Sequence, residues 1–122
     1  MTTEQKVLSD FFEKEIRKGV CVVRLNQDMS FTSQKEVECF WQDLCGLLEY
    51  SMIVINFENV EKQSSSVLGK IIKLNRETGE RGIQLALCSI KPCIFEVFQI
   101  THLKDWFEIY ETENDAVRAL AS

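Results

Sequence analysis

A chain of 122 residues, 45% hydrophobic and 27% charged, has the composition of one globular domain spanning residues 1–122, long enough to bury a core without metal or disulfide staples. Its net charge of −5 and pI near 4.9 disfavour nucleic acid and anionic membranes as partners, since phosphates call for a basic footprint. The opening Met1-Thr2-Thr3-Glu4-Gln5-Lys6 lacks the cationic and apolar parts of a signal peptide, and no apolar run nears the roughly 20 residues of a membrane span, so a soluble cytoplasmic protein is expected.

Taken in chain order, Phe12 to Arg17 reads as a weakly alternating strand and Lys18-Gly19 as a turn. Val20-Cys21-Val22-Val23-Arg24-Leu25 is a second strand, because β-branched residues suit a pleated, buried surface, and the two make a hairpin. Ser33 opens a helix, with Glu36 completing a capping box. Val37, Phe40, Trp41, Leu44, Leu47 and Leu48 fall on one face of it at the 3.6 period.

Met52 to Phe57 is a continuous apolar run, the mark of a central strand covered on both faces. Ser64-Ser65-Ser66 follows, leading into a helix that starts near Val67, is marked by Leu68, Ile71, Ile72 and Leu74, and is ended by Gly79 to Gly82. Its Lys70, Lys73 and Arg76 read as a solvated face. Ile83 to Cys88 is the next strand, and Pro92 opens a helix carrying Ile94, Phe95, Val97, Phe98 and Ile100. Trp106 to Tyr110 is a short last strand, and Thr112 with Asp115 caps a final helix with Ala116, Val117 and Leu120 inward. The order β-β-α-β-α-β-α-β-α implies an α/β fold with a mixed, mostly parallel sheet of about five strands and about four helices.

Ligands and active groups in such sheets gather in loops at the carboxyl ends of strands, which singles out the serine triplet and the loop before Pro92. Three exposed hydroxyls at a helix start suit a cap, a nucleophile or a phosphorylation switch. A nucleophilic serine needs a base; the single histidine, His102, lies beyond the third helix, and no Gly-x-Ser-x-Gly elbow is present. No catalytic residue is therefore expected.

The five cysteines, Cys21, Cys39, Cys45, Cys88 and Cys93, form no Cys-x-x-Cys, which argues against a disulfide framework or a zinc site and for small buried hydrophobes. Cys93, in the first turn of a helix, is the sharper enzymatic candidate, weighed against simple packing beside Phe95 and Val97. Glycine-rich phosphate loops and metal-ligand spacings are absent from the sequence, so no cofactor or metal is expected.

The run from Asn59 through Ser64-Ser65-Ser66-Val67-Leu68-Gly69 to Ile72 resembles the signature loop and helix of STAS domains, the family of bacterial anti-sigma factor antagonists and of the cytoplasmic domains of sulfate transporters. The resemblance extends over nearly the whole chain, through Val22 to Leu25, Ile53 to Phe57, Gly82 to Pro92, Phe98 to Tyr110 and Asp115 to Val117. The family's loop reads Asp-Ser-Ser-Gly-Leu-Gly. Anchoring on Leu68-Gly69 sets Ser64 at the Asp, Ser65 at the phosphorylated serine and Val67 at the first glycine; a one-residue shift pairs Gln63 with the Asp and Ser64 with the acceptor.

The resemblance implies partner switching. The unmodified protein binds an anti-sigma factor serine kinase through Gln63 to Gly69 (Gln63, Ser64, Ser65, Ser66, Val67, Leu68, Gly69), phosphorylation of Ser65 breaks the complex, and a PP2C-type phosphatase restores it. It implies a binding module and not an enzyme, monomeric or weakly dimeric. The alternative is a scaffold of the same fold in a bacterial signalling complex that is never phosphorylated.

Overall fold

A computed structural model describes residues 6–8, 10–31 and 33–122. The expectation of no signal segment, and the outer end of the single-domain assignment, rest in part on residues 1–5, outside the described residues. The elements run β1 (Lys6–Leu8), β2 (Phe12–Arg17), β3 (Val20–Leu25), β4 (Asp28–Met29), α1 (Gln34–Cys45), β5 (Met52–Asn56), β6 (Lys62–Gln63), α2 (Ser65–Arg81), β7 (Gln84–Cys88), α3 (Pro92–Ile100), β8 (Glu108–Tyr110) and α4 (Glu113–Ala121). Short 3-10 turns cover Gly46–Glu49 and Leu103–Asp105.

The main sheet has the order β1-β2-β3-β5-β7-β8. The β1–β2 and β2–β3 pairs are antiparallel, and the pairs from β3 onward are parallel, so the sheet is mixed and mostly parallel as expected. The β2–β3 hairpin turns on Lys18 and Gly19, both at positive φ (54° and 81°), which matches the twist of the flanking strands.

Strand alternation sorts the core into two layers. Cys21, Val23, Leu25, Ile53 and Ile55 join Phe40 and Leu44 of α1, Val67, Ile71 and Leu74 of α2, and Ile94 and Phe98 of α3. Val20, Val22, Val54, Ala86 and Cys88 meet Ala116, Val117 and Leu120 of α4 on the other face. Phe98 anchors α3 through edge-on rings, 6.3 Å from Phe57 and 5.8 Å from Phe107 between centroids.

Several element boundaries differ from the sequence expectation. A sixth strand, β1, extends the sheet, and β4 and β6 form a separate two-stranded parallel ladder. Elements of two or three residues carry too little periodicity to be read. Helix α2 begins at Ser65, not near Val67, and Gly79 lies inside it; Gly82 ends it in the left-handed region at φ 71°, its amide donating to the carbonyls of Gly79 and Thr78. Trp106 closes a 3-10 turn by donating to the Leu103 carbonyl, which defers the last strand to Glu108.

One polar cluster fastens α4 to the sheet. The Arg24 guanidinium holds Glu113 with two hydrogen bonds, from Nε to Oε1 at 2.9 Å and from Nη2 to Oε2 at 2.8 Å. Its Nη1 also donates to Glu13 (2.9 Å) and Glu15 (2.7 Å). Arg17 pairs with Glu113 as well, and its Nη2 donates to Asn114 Oδ1 at 2.8 Å. Buried Asn56 donates through Nδ2 to Glu113 Oε1 at 2.7 Å, and its Oδ1 accepts the Glu58 amide at 2.6 Å. Burial pushes the Glu113 carboxyl up, but Arg24, Asn56 and Arg17 together outweigh it and hold the group at about 2. Glu113, with burial opposing, raises the Arg24 guanidinium in turn, and Glu15 and Glu13 add to the effect.

A carboxyl depressed on folding contributes stability that is present above its ordinary value of 4.5 and is lost as pH falls towards about 2. Glu113→Gln is expected to lower stability at pH 7 by about 1–3 kcal/mol. In urea titrations followed by circular dichroism, the gap to wild type should narrow between pH 7 and pH 2. An equal gap at both ends contradicts this account.

Candidate functional site

The serine triplet sits where β5, the central strand, hands over to α2. After Phe57 the chain turns at Val60, whose amide donates to the Phe57 carbonyl at 2.9 Å, and then runs beside the loop that follows β3. The Gln27 carbonyl accepts from the Glu61 amide at 2.9 Å and the Lys62 amide at 3.4 Å, and the Met29 carbonyl accepts from the Ser64 amide at 3.1 Å. Gln27 Nε2 donates to Glu61 Oε1 at 2.8 Å. The β4–β6 ladder, pairing Asp28 with Lys62 and Met29 with Gln63, completes the tie, and buried Met29 pins it to the core. The start of α2 is thus held from the side by residues 27–29.

Within the triplet the three hydroxyls have different surroundings. Half-buried Ser64 is the N-cap: its Oγ accepts the Val67 amide at 3.4 Å and its carbonyl accepts the Leu68 amide at 3.2 Å. Ser65 and Ser66 are exposed first-turn residues whose hydroxyls make no hydrogen bond among the described residues. Their amides lack intrahelical partners, as the first turn of any helix requires, and add to the positive end of the dipole.

Val67 and Leu68 point into the core, so they fix the helix start and present little surface. Gly69 is exposed, and a Cβ built there would meet nothing within 4 Å. Half-buried Gln63 leaves its buried Oε1 without a donor among the described residues.

The charges around the loop were only partly foreseen. Asp28 accepts from both the hydroxyl and the amide of Ser30 (3.0 Å for the amide), and these bonds lower its carboxyl. Lys70 and Lys73 are half-buried, lying 5.9 and 4.5 Å from the centre of the Trp41 ring, instead of forming a purely solvated face with exposed Arg76. The tie through residues 27–29 was missed because backbone carbonyls leave no trace in a side-chain pattern.

The other candidates fall away from the serines. His102 is exposed at φ 62°, between α3 and the following 3-10 turn. Cys93 is exposed near the start of α3 and not a small buried hydrophobe as expected, because the inward positions of that helix go to Ile94 and Phe98. Cys39 is exposed too, whereas Cys21 and Cys88 are buried, and burial pushes each of these two thiols up to about 11. Among the described residues no three His, Cys, Asp or Glu side chains are grouped to hold a metal, and no helix is long and apolar enough to cross a membrane.

The STAS domain family model matches residues 11–116 of this chain, a span that takes in the sheet from β2 onward and the serine-capped start of α2. The chain belongs to the STAS domain family. It is 24% identical over 108 residues to the anti-sigma F factor antagonist of Paenibacillus polymyxa, covering 88% of this chain and 92% of that protein. A Thermotoga maritima protein described as a candidate anti-sigma factor antagonist shares its fold with a TM-score of 0.81 and 22% identity, over 91% of this chain and 95% of that one. The Bacillus cell-fate determinant SpoIIAA shares it in its phosphorylated form with a TM-score of 0.68 and 23% identity, over 89% and 98% of the two chains. The unphosphorylated form of SpoIIAA gives 0.71 and 22%, over 91% and 97%.

The serine environments separate structural from free hydroxyls. Ser64→Ala should destabilise this STAS domain by about 1 kcal/mol, a drop of a few degrees in Tm, whereas Ser65→Ala should leave Tm within about a degree of wild type. Thermal melts of the two variants check this; a larger loss from Ser65→Ala would mean that its hydroxyl is structurally engaged.

Proposed function

We propose that this STAS domain is an anti-sigma factor antagonist that works by partner switching, with Ser65 as the phosphoacceptor. The observation that carries the reading is the division of labour in the triplet: Ser64 caps α2, while Ser65 stands exposed at the first helical position with an uncommitted hydroxyl. The kinship with anti-sigma factor antagonists supports the partner class. The unmodified protein binds an anti-sigma factor of the serine-kinase type, that kinase phosphorylates Ser65, and a PP2C-type phosphatase reverses the modification.

The electrostatics favour a switch at this position. A phosphate adds about −1.5 to −2 charges at neutral pH, and free amides at a helix start tolerate it, so the fold itself loses little. Across an interface the same charge must be desolvated, which is costly without a waiting cation. One turn along α2 from Ser65 stands Gly69, which brings no cation to that position, whereas one turn from Ser66 stands Lys70. A phosphate on Ser65 therefore has no cation one turn along the helix to offset it, and Ser65 is the better switch of the two.

A second reading is a STAS scaffold that is never phosphorylated. The uncharged cap Ser64, standing where the family's loop carries Asp, favours it.

Incubation with the cognate anti-sigma kinase and ATP, followed by phosphopeptide mapping, should place phosphate on Ser65 and none on Ser65→Ala. Ser65→Asp should weaken kinase binding roughly tenfold or more in calorimetry, a difference of about 1.4 kcal/mol. Phosphate on none of Ser64, Ser65 and Ser66 would favour the scaffold.

A further inference from the structure

We infer that the partner's footprint extends from Ser65 along the outer face of α2 to an apolar anchor formed by Val97, Ile100 and Trp106. The inference rests on the reading that the start of α2 faces a protein partner. Among the described residues the exposed large hydrophobic side chains are Val97 (42% exposed), Ile100 (71%) and Trp106 (68%). They are not scattered singly, as incidental surface residues are, but all fall on α3 and the turn after it.

Two features connect this patch to the serine. On α2, Ser65, Gly69, Ile72 and Arg76 recur at helical spacing and share one face, on which Ser65, Gly69 and Arg76 are exposed and Ile72 half-buried. At the other end of that stretch, Asn75 Nδ2 donates to the Trp106 carbonyl at 3.1 Å and fixes the segment after α3 against α2. The rise along α2 from Ser65 to Asn75 is about 15 Å. A partner covering about 800 Å², roughly 30 Å across, therefore reaches both ends at once.

Area decides between a second copy and this partner. The three side chains present on the order of 350 Å² of apolar surface, less than half of the about 800 Å² per side that a standard stable interface needs. The patch is too small to hold a dimer by itself. Joined to the exposed α2 face it becomes a larger surface with an apolar end at Trp106 and a charge-sensitive edge at Ser65. Gly69 fits this arrangement. The fold has no use for its missing side chain, since a Cβ there meets nothing, and a helical glycine costs about 1 kcal/mol against alanine. What the glycine provides is open backbone between the serine and the anchor.

Binding then has two separable parts, a constant apolar anchor and a switchable end. The test is calorimetry of wild type, Trp106→Ala, Ile100→Ser and Ser65→Asp against each purified anti-sigma kinase of the source organism. Thermal melts and sedimentation of each protein alone accompany the titrations. Trp106→Ala and Ile100→Ser should each weaken binding roughly ten- to hundredfold while keeping the wild-type Tm within a few degrees and the wild-type sedimentation.

If Ser65→Asp weakens binding and both anchor variants bind like wild type, the anchor is overturned and the partner-switching reading survives. If no anti-sigma kinase binds wild type, that reading fails and the anchor fails with it. If wild type sediments as a dimer that Trp106→Ala dissociates, the patch belongs to a second copy and the inference is overturned.

Discussion

Burial of β5 on both faces is the constraint from which the site follows. A strand that gives Ile53 and Ile55 to one layer and Val54 to the other cannot slip by one residue without exchanging the layers. The point at which the chain leaves the sheet is therefore fixed, and the loop that follows must return over the α1–α2–α3 face to start a helix. Val67, Ile71 and Leu74 set that helix's rotation, because they have to reach the same layer as Ile53 and Ile55. Once the rotation is set, Ser65 and Ser66 cannot face inward. Their exposure is thus a consequence of the core.

The carboxyl end of β5 is secured by different chemistry on its two sides. On the α4 side, Asn56 is a buried polar residue at the end of an apolar strand, a costly placement unless its hydrogen bonds are met. Glu113 and the Glu58 amide meet them, and the same Glu113 pairs with Arg24 and Arg17. The cluster spans β2, β3, β5 and α4, so a short helix gains an electrostatic fastening in addition to three buried side chains. On the serine side the tie is made chiefly by backbone groups of residues 27–29, which do not titrate, with one side-chain bond from Gln27 to Glu61. A loop held in that way would keep its place under the proposed modification of Ser65.

The strands from Val20 and from Met52 were legible because β-branched runs leave few other readings, and the caps at Ser33 and Thr112 because a hydroxyl three residues ahead of a carboxylate has a specific geometry. The serine triplet was legible as a helix start, though its own helix begins earlier than the apolar period suggested: Ser65 and Ser66 are helical without contributing to the apolar face. Long-range polar pairing was not legible. Arg24 meets Glu113 across 89 residues, and nothing local in either segment announces the other. Cys93 illustrates a different failure, in which composition argued for burial but the phase of α3 turned the side chain outward.

A charge added at Ser65 illustrates how position decides between unfolding and signalling. Beside Glu113 on the α4 side a phosphate would oppose a half-buried carboxylate, compete for its arginines and weaken the fold. At the first residue of α2 it meets unpaired amides and a favourable dipole, and the side chains beneath it, Val67 and Leu68, are already packed away from it. The nearest structural hydroxyl, Ser64, does its capping through an oxygen that a modification of Ser65 leaves in place. The free energy of the proposed modification of Ser65 would thus be kept out of the domain and expressed where another surface must displace the phosphate's water. A switch of this kind requires a stable fold behind it and an anchor beside it, since a single charged end gives a partner something to avoid but little to hold.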